Sequence, residues 1–350
     1  MRLFTCPNCS QMLDFENTVC EQCGHHVGYC PPAVAMLDAA HGSDLFGSGE
    51  DTWTLCANAR HDACNWLVRS GDAGAYCRAC AHNRTIPDIS VPENLTRWQR
   101  LESAKRRLFY GLMRLRLPLP TRGDDPQHGL AFDFLAELAA GPQVMTGHDD
   151  GLITIALKEA DDAERERMRA QMGELYRTPL GHFRHEVGHF YWDVLVRDGG
   201  ELEEFRALFG DERRDYGQAL REYYARAGHA LMQNGFVSPY ASSHPWEDFA
   251  ETWAHYLHII DALEMAAECG LRAAPDAKHG PSLSADLRFD PYRADSAQQL
   301  LDRWLPLTFA VNNLNRAVGQ PDLYPFVISR EVVQKLEFVR RLVRAKTDTG

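Results

Sequence analysis

The segment "TPLGHFRHEVGHFYWD" (residues 178–193) contains the pentapeptide HEVGH at 185–189. On an α-helix, residues four positions apart lie on one face about one turn apart, so the imidazoles of His185 and His189 can both bind one metal ion. Glu186 follows the first histidine directly and is directed toward water on that metal. The segment therefore predicts a helix that carries two metal ligands and a carboxylate beside them.

The ends of this helix are also marked in the sequence. Thr178 favours the N-cap position, and Pro179 favours the first helical residue. Gly199 and Gly200 favour the end of a helix. We therefore predict a buried helix that starts at Thr178–Pro179 and runs through Val196.

Catalytic zinc takes three protein ligands and leaves a fourth position to water. The metzincin pattern does not supply the third ligand, because Trp192 and Leu195 occupy the positions where it needs Gly and His. A di-iron site would need two Glu-x-x-His pairs. Glu186 and His189 form one such pair, but the spacing from Glu251 to His255 is one residue too long for a second.

A second segment, "SHPWEDFAETWAHYLH", offers the third ligand. Pro245 favours the start of a helix, and Glu247 and Glu251 lie four positions apart on one side of it. One carboxylate can bind zinc while the other accepts the second N–H of a ligating histidine. The alternative is that both glutamates are exposed to solvent and bind no metal. The tryptophans at 246 and 253 flank them, and this side of the helix is too apolar for two solvated carboxylates.

Nine of the ten cysteines lie in the first eighty residues, and Cys269 stands apart. The N-terminus has no apolar signal segment, so clustered cysteines favour metal sites over disulfides. Two CxxC pairs are separated by ten residues and predict a closed four-cysteine zinc site, with a glycine after the second pair that suits the turn. Its predicted ligands are Cys6, Cys9, Cys20 and Cys23.

A looser set of cysteines follows and predicts a second structural zinc site. His61 is an alternative ligand in this set, and Cys30 is an alternative member of either set. Four thiolates leave no open position on zinc, so both sites would stabilise the fold and not catalyse a reaction. The predicted ligands of the second site are Cys56, Cys64, Cys77 and Cys80.

The phrases "FENTVCEQCG", "RHEVGHFYWD" and "HPWEDFAETWAHYLH" resemble the bacterial family that joins a zinc-ribbon domain to a zinc-binding metallopeptidase domain. An HExxH helix followed by a distant ExxxE helix resembles the gluzincin peptidases. "SPYASSHPWEDFAE" resembles their lethal-factor branch, in which a tyrosine lies seven residues before the zinc-binding glutamate, as Tyr240 does before Glu247.

The resemblance implies a role for each matching residue. His185, His189 and Glu247 would hold the catalytic zinc, and Glu186 would be the general base. Glu251 would orient a ligand histidine. Tyr240 would donate a hydrogen bond to the developing oxyanion.

We expect an α+β fold, mainly α, with a zinc-ribbon domain over residues 1–90 and a zincin-like metallopeptidase domain over residues 91–350. The linker 84–94 contains two prolines and has no helical period. A β-branched run, "GLITIAL" (151–157), predicts a strand that either lies in the core or pairs with an extended substrate.

The formal net charge of −12 argues against a nucleic-acid partner, and no apolar run is long enough to cross a membrane. We expect a cytoplasmic protein with one catalytic and two structural zinc ions. The predicted function is hydrolysis of a peptide or protein substrate, and the ribbons offer a surface for a protein partner. The alternative is a catalytically silent zinc-binding scaffold, although a scaffold has no need of Glu186.

Overall fold

A computed structural model describes residues 1–47, 51–72, 74–137, 144–172, 174–225, 235–275 and 283–347. These residues form eight α-helices and five small sheets, which confirms the mainly helical α+β class. No helix within those ranges combines the length and the apolar character that crossing a bilayer requires.

Residue contacts divide the chain into two compact units. One consists of Arg2–Tyr110 and Leu119–Asp161, and the other of Met1, Gly111–Pro118 and Asp162–Gly350. The domain boundary expected near residue 90 remains a prediction.

The unit that contains most of the cysteines is built from short antiparallel hairpins and one mixed sheet. The helix α1 (Pro92–Arg114) begins in this unit, and its apolar residues Trp98, Leu101 and Leu108 are buried. The hairpins are β1 (Phe4–Thr5) with β2 (Met12–Leu13), β3 (His26–Cys30) with β4 (Ala35–Ala39), and β5 (Trp53–Leu55) with β6 (Leu67–Arg69).

The mixed sheet has the strand order β7 (Asn83–Thr85), β8 (Ala131–Leu135), β10 (Leu152–Ala156), β9 (Gly147–Asp149). The predicted strand at 151–157 is therefore confirmed as β10. It pairs with β8 on one edge and with β9 on the other over Leu152–Thr154. It is an inner strand of the sheet and offers no open edge there for an extended substrate, so the core interpretation holds.

The second unit is helical. It contains the helices α2 (Asp162–Met172), α3 (Pro179–Tyr191), α4 (Leu202–Phe209), α5 (Tyr216–Ala225), α6 (Pro245–Glu268), α7 (Ala297–Ala317) and α8 (Arg330–Thr347), and a hairpin of β11 (Arg272–Ala273) with β12 (Ala285–Asp286). The apolar stripe of the C-terminal helix α8 is buried, at Val332, Leu336, Val339 and Val343.

The long helix α6 packs against both α3 and α8 in the middle of this unit. Gly188 makes the close approach of α3 possible, since a Cβ there would lie 3.0 Å from the Cα of Ala250. The two segments singled out in the sequence thus become two helices in direct contact.

Candidate metal centres

The helix α3 forms as its end signals predict. The Oγ1 of Thr178 accepts a hydrogen bond from the backbone N–H of Gly181, and Pro179 is the first helical residue. A π-helical turn, Trp192–Arg197, continues the helix until just before the two glycines. The rings of His185 and His189 lie on one face, with centroids 5.0 Å apart.

The helix α6 begins at Pro245, as predicted, and brings Glu247 to these two histidines. One carboxylate oxygen, Oε2, lies 3.0 Å from Nε2 of His185 and 3.5 Å from Nε2 of His189. One ligand atom from each of the three residues lies within 4.8 Å of the others. The structure therefore brings together the three residues that were predicted as ligands from distant parts of the sequence.

Glu251, one turn after Glu247 on α6, is hydrogen-bonded to His185. Nδ1–H of His185 donates to Oε1 of Glu251 over 2.7 Å, and Ser238 donates to the other oxygen of Glu251 over 2.5 Å. A ring with its proton on Nδ1 presents the lone pair of Nε2 to a metal ion, which is the arrangement of many zinc sites. Ser238 was not predicted, because an isolated serine carries no signal of this role.

The charges in this centre fit a bound cation. Burial raises the pKa of Glu247, but the two adjacent imidazoles outweigh burial and hold that pKa well below its usual value. Burial lowers the pKa of His185, while hydrogen bonds to Glu247 and Glu251 raise it well above its usual value. Two imidazoles and one buried carboxylate form the donor set of zinc sites with a fourth, open position.

Glu186 and Tyr240 lie near this centre. Tyr240 begins a 3₁₀ turn, Tyr240–Ser242, and its ring centroid is 5.9 Å from that of His185. Burial raises the pKa of Tyr240 well above its usual value, and the negative charges of Glu247 and Glu186 add to this rise. The catalytic roles of Glu186 and Tyr240 remain predictions.

Tyr216, at the start of α5, was missed by the sequence analysis. Its hydroxyl donates to Oε1 of Glu247 over 2.6 Å. Nothing in the linear sequence links this tyrosine to a glutamate 31 positions later. The contact arises from the packing of α5 beside the start of α6.

The first four cysteines come together as the paired CxxC pattern predicts. Their sulfur atoms lie within 4.8 Å of one another. The residue after each CxxC, Ser10 or Gly24, has a positive φ and donates its N–H to the carbonyl of the first cysteine of its pair. The members of this cluster are Cys6, Cys9, Cys20 and Cys23.

The second cysteine cluster has the same compactness and is buried throughout. Its members are Cys56, Cys64, Cys77 and Cys80. The structure leaves His61 and Cys30 out of both clusters. Cys30 instead packs in an apolar cluster with Phe46, Trp53 and Leu67.

Comparisons with known proteins identify two family models that match parts of the chain. A zinc-ribbon domain model matches residues 3–91, and the model of a family described as "Putative zinc-binding metallo-peptidase" matches residues 94–342. An uncharacterized protein of Mycobacterium bovis and two of Mycobacterium tuberculosis strains are each 42% identical to the chain over 344 residues, 98% of this chain and 95% of theirs. No solved structure matches the chain significantly. Together with the zinc-type donor sets, these matches confirm the resemblance noted in the sequence: the chain belongs to the zinc-binding metallopeptidase family and carries an N-terminal zinc-ribbon domain.

Proposed function

We propose that the chain hydrolyses peptide bonds at a zinc ion held by His185, His189 and Glu247. The observation that carries this proposal is the convergence of the three ligand atoms within 4.8 Å on α3 and α6. A zinc ion with this donor set supplies Lewis acidity and lowers the pKa of a water molecule to about 7.

Side chains of the protein would transfer the proton, orient a ligand histidine and stabilise the oxyanion. Glu186 accepts the proton of the attacking water and passes it to the leaving amine nitrogen. Glu251 keeps His185 in the tautomer that binds metal. Tyr240, whose ring lies beside that of His185, donates a hydrogen bond to the developing oxyanion, as the resemblance to the lethal-factor branch of gluzincins implies.

We also propose two structural zinc ions, one in each four-cysteine cluster, in addition to the catalytic ion. Both clusters consist of thiols alone, which is the donor set of closed structural sites. The substrate would be a peptide or protein, and the zinc ribbons would offer a surface to a protein partner in the cytoplasm.

The test is Glu186→Gln in the full chain, assayed on a diverse peptide library. We expect hydrolysis to fall by about 10²- to 10⁴-fold, because the general base is lost. We expect the metal content to stay unchanged, because Glu186 is not a proposed ligand. Glu203→Gln, an exposed glutamate on α4, is the matched control and should cleave like the wild type.

The competing function is a catalytically silent scaffold. It would be favoured if the metal-loaded wild type cleaved no peptide in the library. Equal cleavage by the wild type and Glu186→Gln would also contradict the proposed mechanism.

A further inference from the structure

We propose that Tyr216 is a positioning residue of the metal centre, which holds one oxygen of Glu247 so that only the other oxygen faces the two histidines. The proposal rests on the metal site of the proposed function but not on peptide hydrolysis. It assigns a role to a residue that the HExxH and ExxxE patterns do not include.

The two oxygens of Glu247 have different partners. Oε2 faces the Nε2 atoms of His185 and His189, and Oε1 accepts the hydrogen bond from Tyr216. The side chain of Glu247 is only 1% exposed, so water cannot readily replace a lost partner. A buried carboxylate oxygen without a partner is costly, and the Tyr216 hydroxyl removes that cost at Oε1.

The aromatic ring of Tyr216 is held by the first turn of the helix that carries Glu247. It packs nearly perpendicular to the rings of His244 and Trp246, with centroids 5.3 and 5.8 Å away. Tyr216 is 38% exposed, so burial of its ring does not explain why the hydroxyl points inward to Glu247.

His244 connects the start of α6 to the chain just before Tyr216. Nδ1 of His244 accepts the backbone N–H of Trp246 over 3.1 Å and thereby caps α6. Nε2–H of the same ring donates to the carbonyl of Arg214 over 3.1 Å. One neutral tautomer makes both bonds, so the chain just before Tyr216 is attached to the start of α6.

Holding one oxygen of Glu247 limits the number of coordination positions that this glutamate can occupy on the metal. A glutamate that binds zinc through both oxygens occupies two positions, whereas binding through one leaves a position open for water or substrate.

The test compares Tyr216→Phe with Tyr223→Phe, which removes the same hydroxyl from the same helix. Zinc affinity of the full chain is measured by competition with a chelator that spares the cysteine clusters. We expect Tyr216→Phe to weaken binding at the histidine centre by about 10- to 100-fold, as loss of such supporting contacts does. Tyr223→Phe should bind like the wild type.

A second measurement reports coordination directly. Cobalt(II) is added to protein whose weakly held zinc has been removed, and its visible absorption is recorded. We expect a weaker, more highly coordinated spectrum in Tyr216→Phe, because Glu247 is then able to bind through both oxygens. The wild type and Tyr223→Phe should give the same spectrum as each other.

A double-variant cycle separates this role from a general effect on folding. In a Glu247→Ala background, Tyr216→Phe should cause no further loss of affinity, because its partner is already absent. Equal affinities and spectra for Tyr216→Phe and wild type would overturn the proposal, as would an additive loss in the cycle. A wild type that binds no metal at this centre would overturn it together with the proposed function, whereas the expected Tyr216 effects in a protein without peptidase activity would support it alone.

Discussion

His255 lies one turn beyond Glu251 on α6 and is buried as a neutral ring. Its Nδ1 and the hydroxyl of Tyr324 form a hydrogen bond over 2.6 Å, and its ring packs against Phe326 with centroids 4.5 Å apart. Burial lowers the pKa of His255 to about 4. The ring is therefore a source of pH-dependent stability that is separate from the metal ligands.

This lowered pKa makes the folded state less stable in acid. Between pH of about 6.5 and 4, the unfolded chain binds a proton that the folded chain does not, so the free energy of unfolding falls as the pH falls. When the pH falls from about 7.5 to about 5, we expect the buried neutral ring of His255 to lower the free energy of unfolding by roughly 2 kcal/mol. Urea unfolding of wild type and His255→Asn at both pH values measures it, because Asn keeps an acceptor but does not titrate.

The metal ligands titrate in both proteins, so their contribution cancels in this comparison. The wild type should lose more stability than His255→Asn on acidification. Parallel losses in the two proteins would show that His255 is not buried as a neutral ring.

At the scale of elements, the crossing of α3 and α6 determines the metal centre, since each helix supplies part of the ligand set. Gly188 lies at this crossing. A Cβ there would meet the Cα of Ala250 at 3.0 Å and the Cβ of Trp253 at 3.3 Å. Neither neighbour is the end of a flexible side chain, so the helices would have to move apart.

We expect Gly188→Ala to lower the free energy of unfolding by about 1–3 kcal/mol, as overpacking does. It should also weaken zinc binding at the histidine centre, because the distance between His185 and Glu247 would grow. Denaturant unfolding and chelator competition measure the two effects.

The matched control is Gly111→Ala in α1, where the added Cβ would meet only the side chain of Asp261 at 3.4 Å. This change should be neutral or stabilising by up to about 1 kcal/mol, since alanine favours helix. If Gly188→Ala were as stable as this control, the close approach of the helices would not be a constraint.

At the scale of the whole molecule, the small hairpins around the cysteine clusters have few residues each, and structural zinc can supply the folding energy that such elements lack. We expect metal analysis to find three zinc ions per chain. Cys77→Ser, which removes a buried ligand, should lower that number to two and reduce hydrogen-exchange protection of the β5–β6 hairpin.

Cys269→Ser is the control, because Cys269 is exposed and lies outside both clusters. It should keep three zinc ions and normal protection. If the Cys77→Ser protein kept both its zinc content and its protection, the second cluster would not be a structural zinc site.

Much of the architecture was predictable because its signals are short. The end signals of α3, the first residue of α6 and the strand β10 all agree with the structure. The cap of α6 was not predicted, since histidine is not among the usual N-cap residues and its role needs the Arg214 carbonyl as well.

Spacings of three or four residues were enough to predict that the two histidines, the carboxylates of Glu247 and Glu251, and the cysteines of each CxxC pair lie close together. A helical turn or a tight loop brings such neighbours together independently of the rest of the fold. Packing over long range was needed to bring Glu247 to a histidine 62 positions away and to give its second oxygen to Tyr216. Such contacts depend on how α3, α5 and α6 fit against one another, which no local pattern encodes.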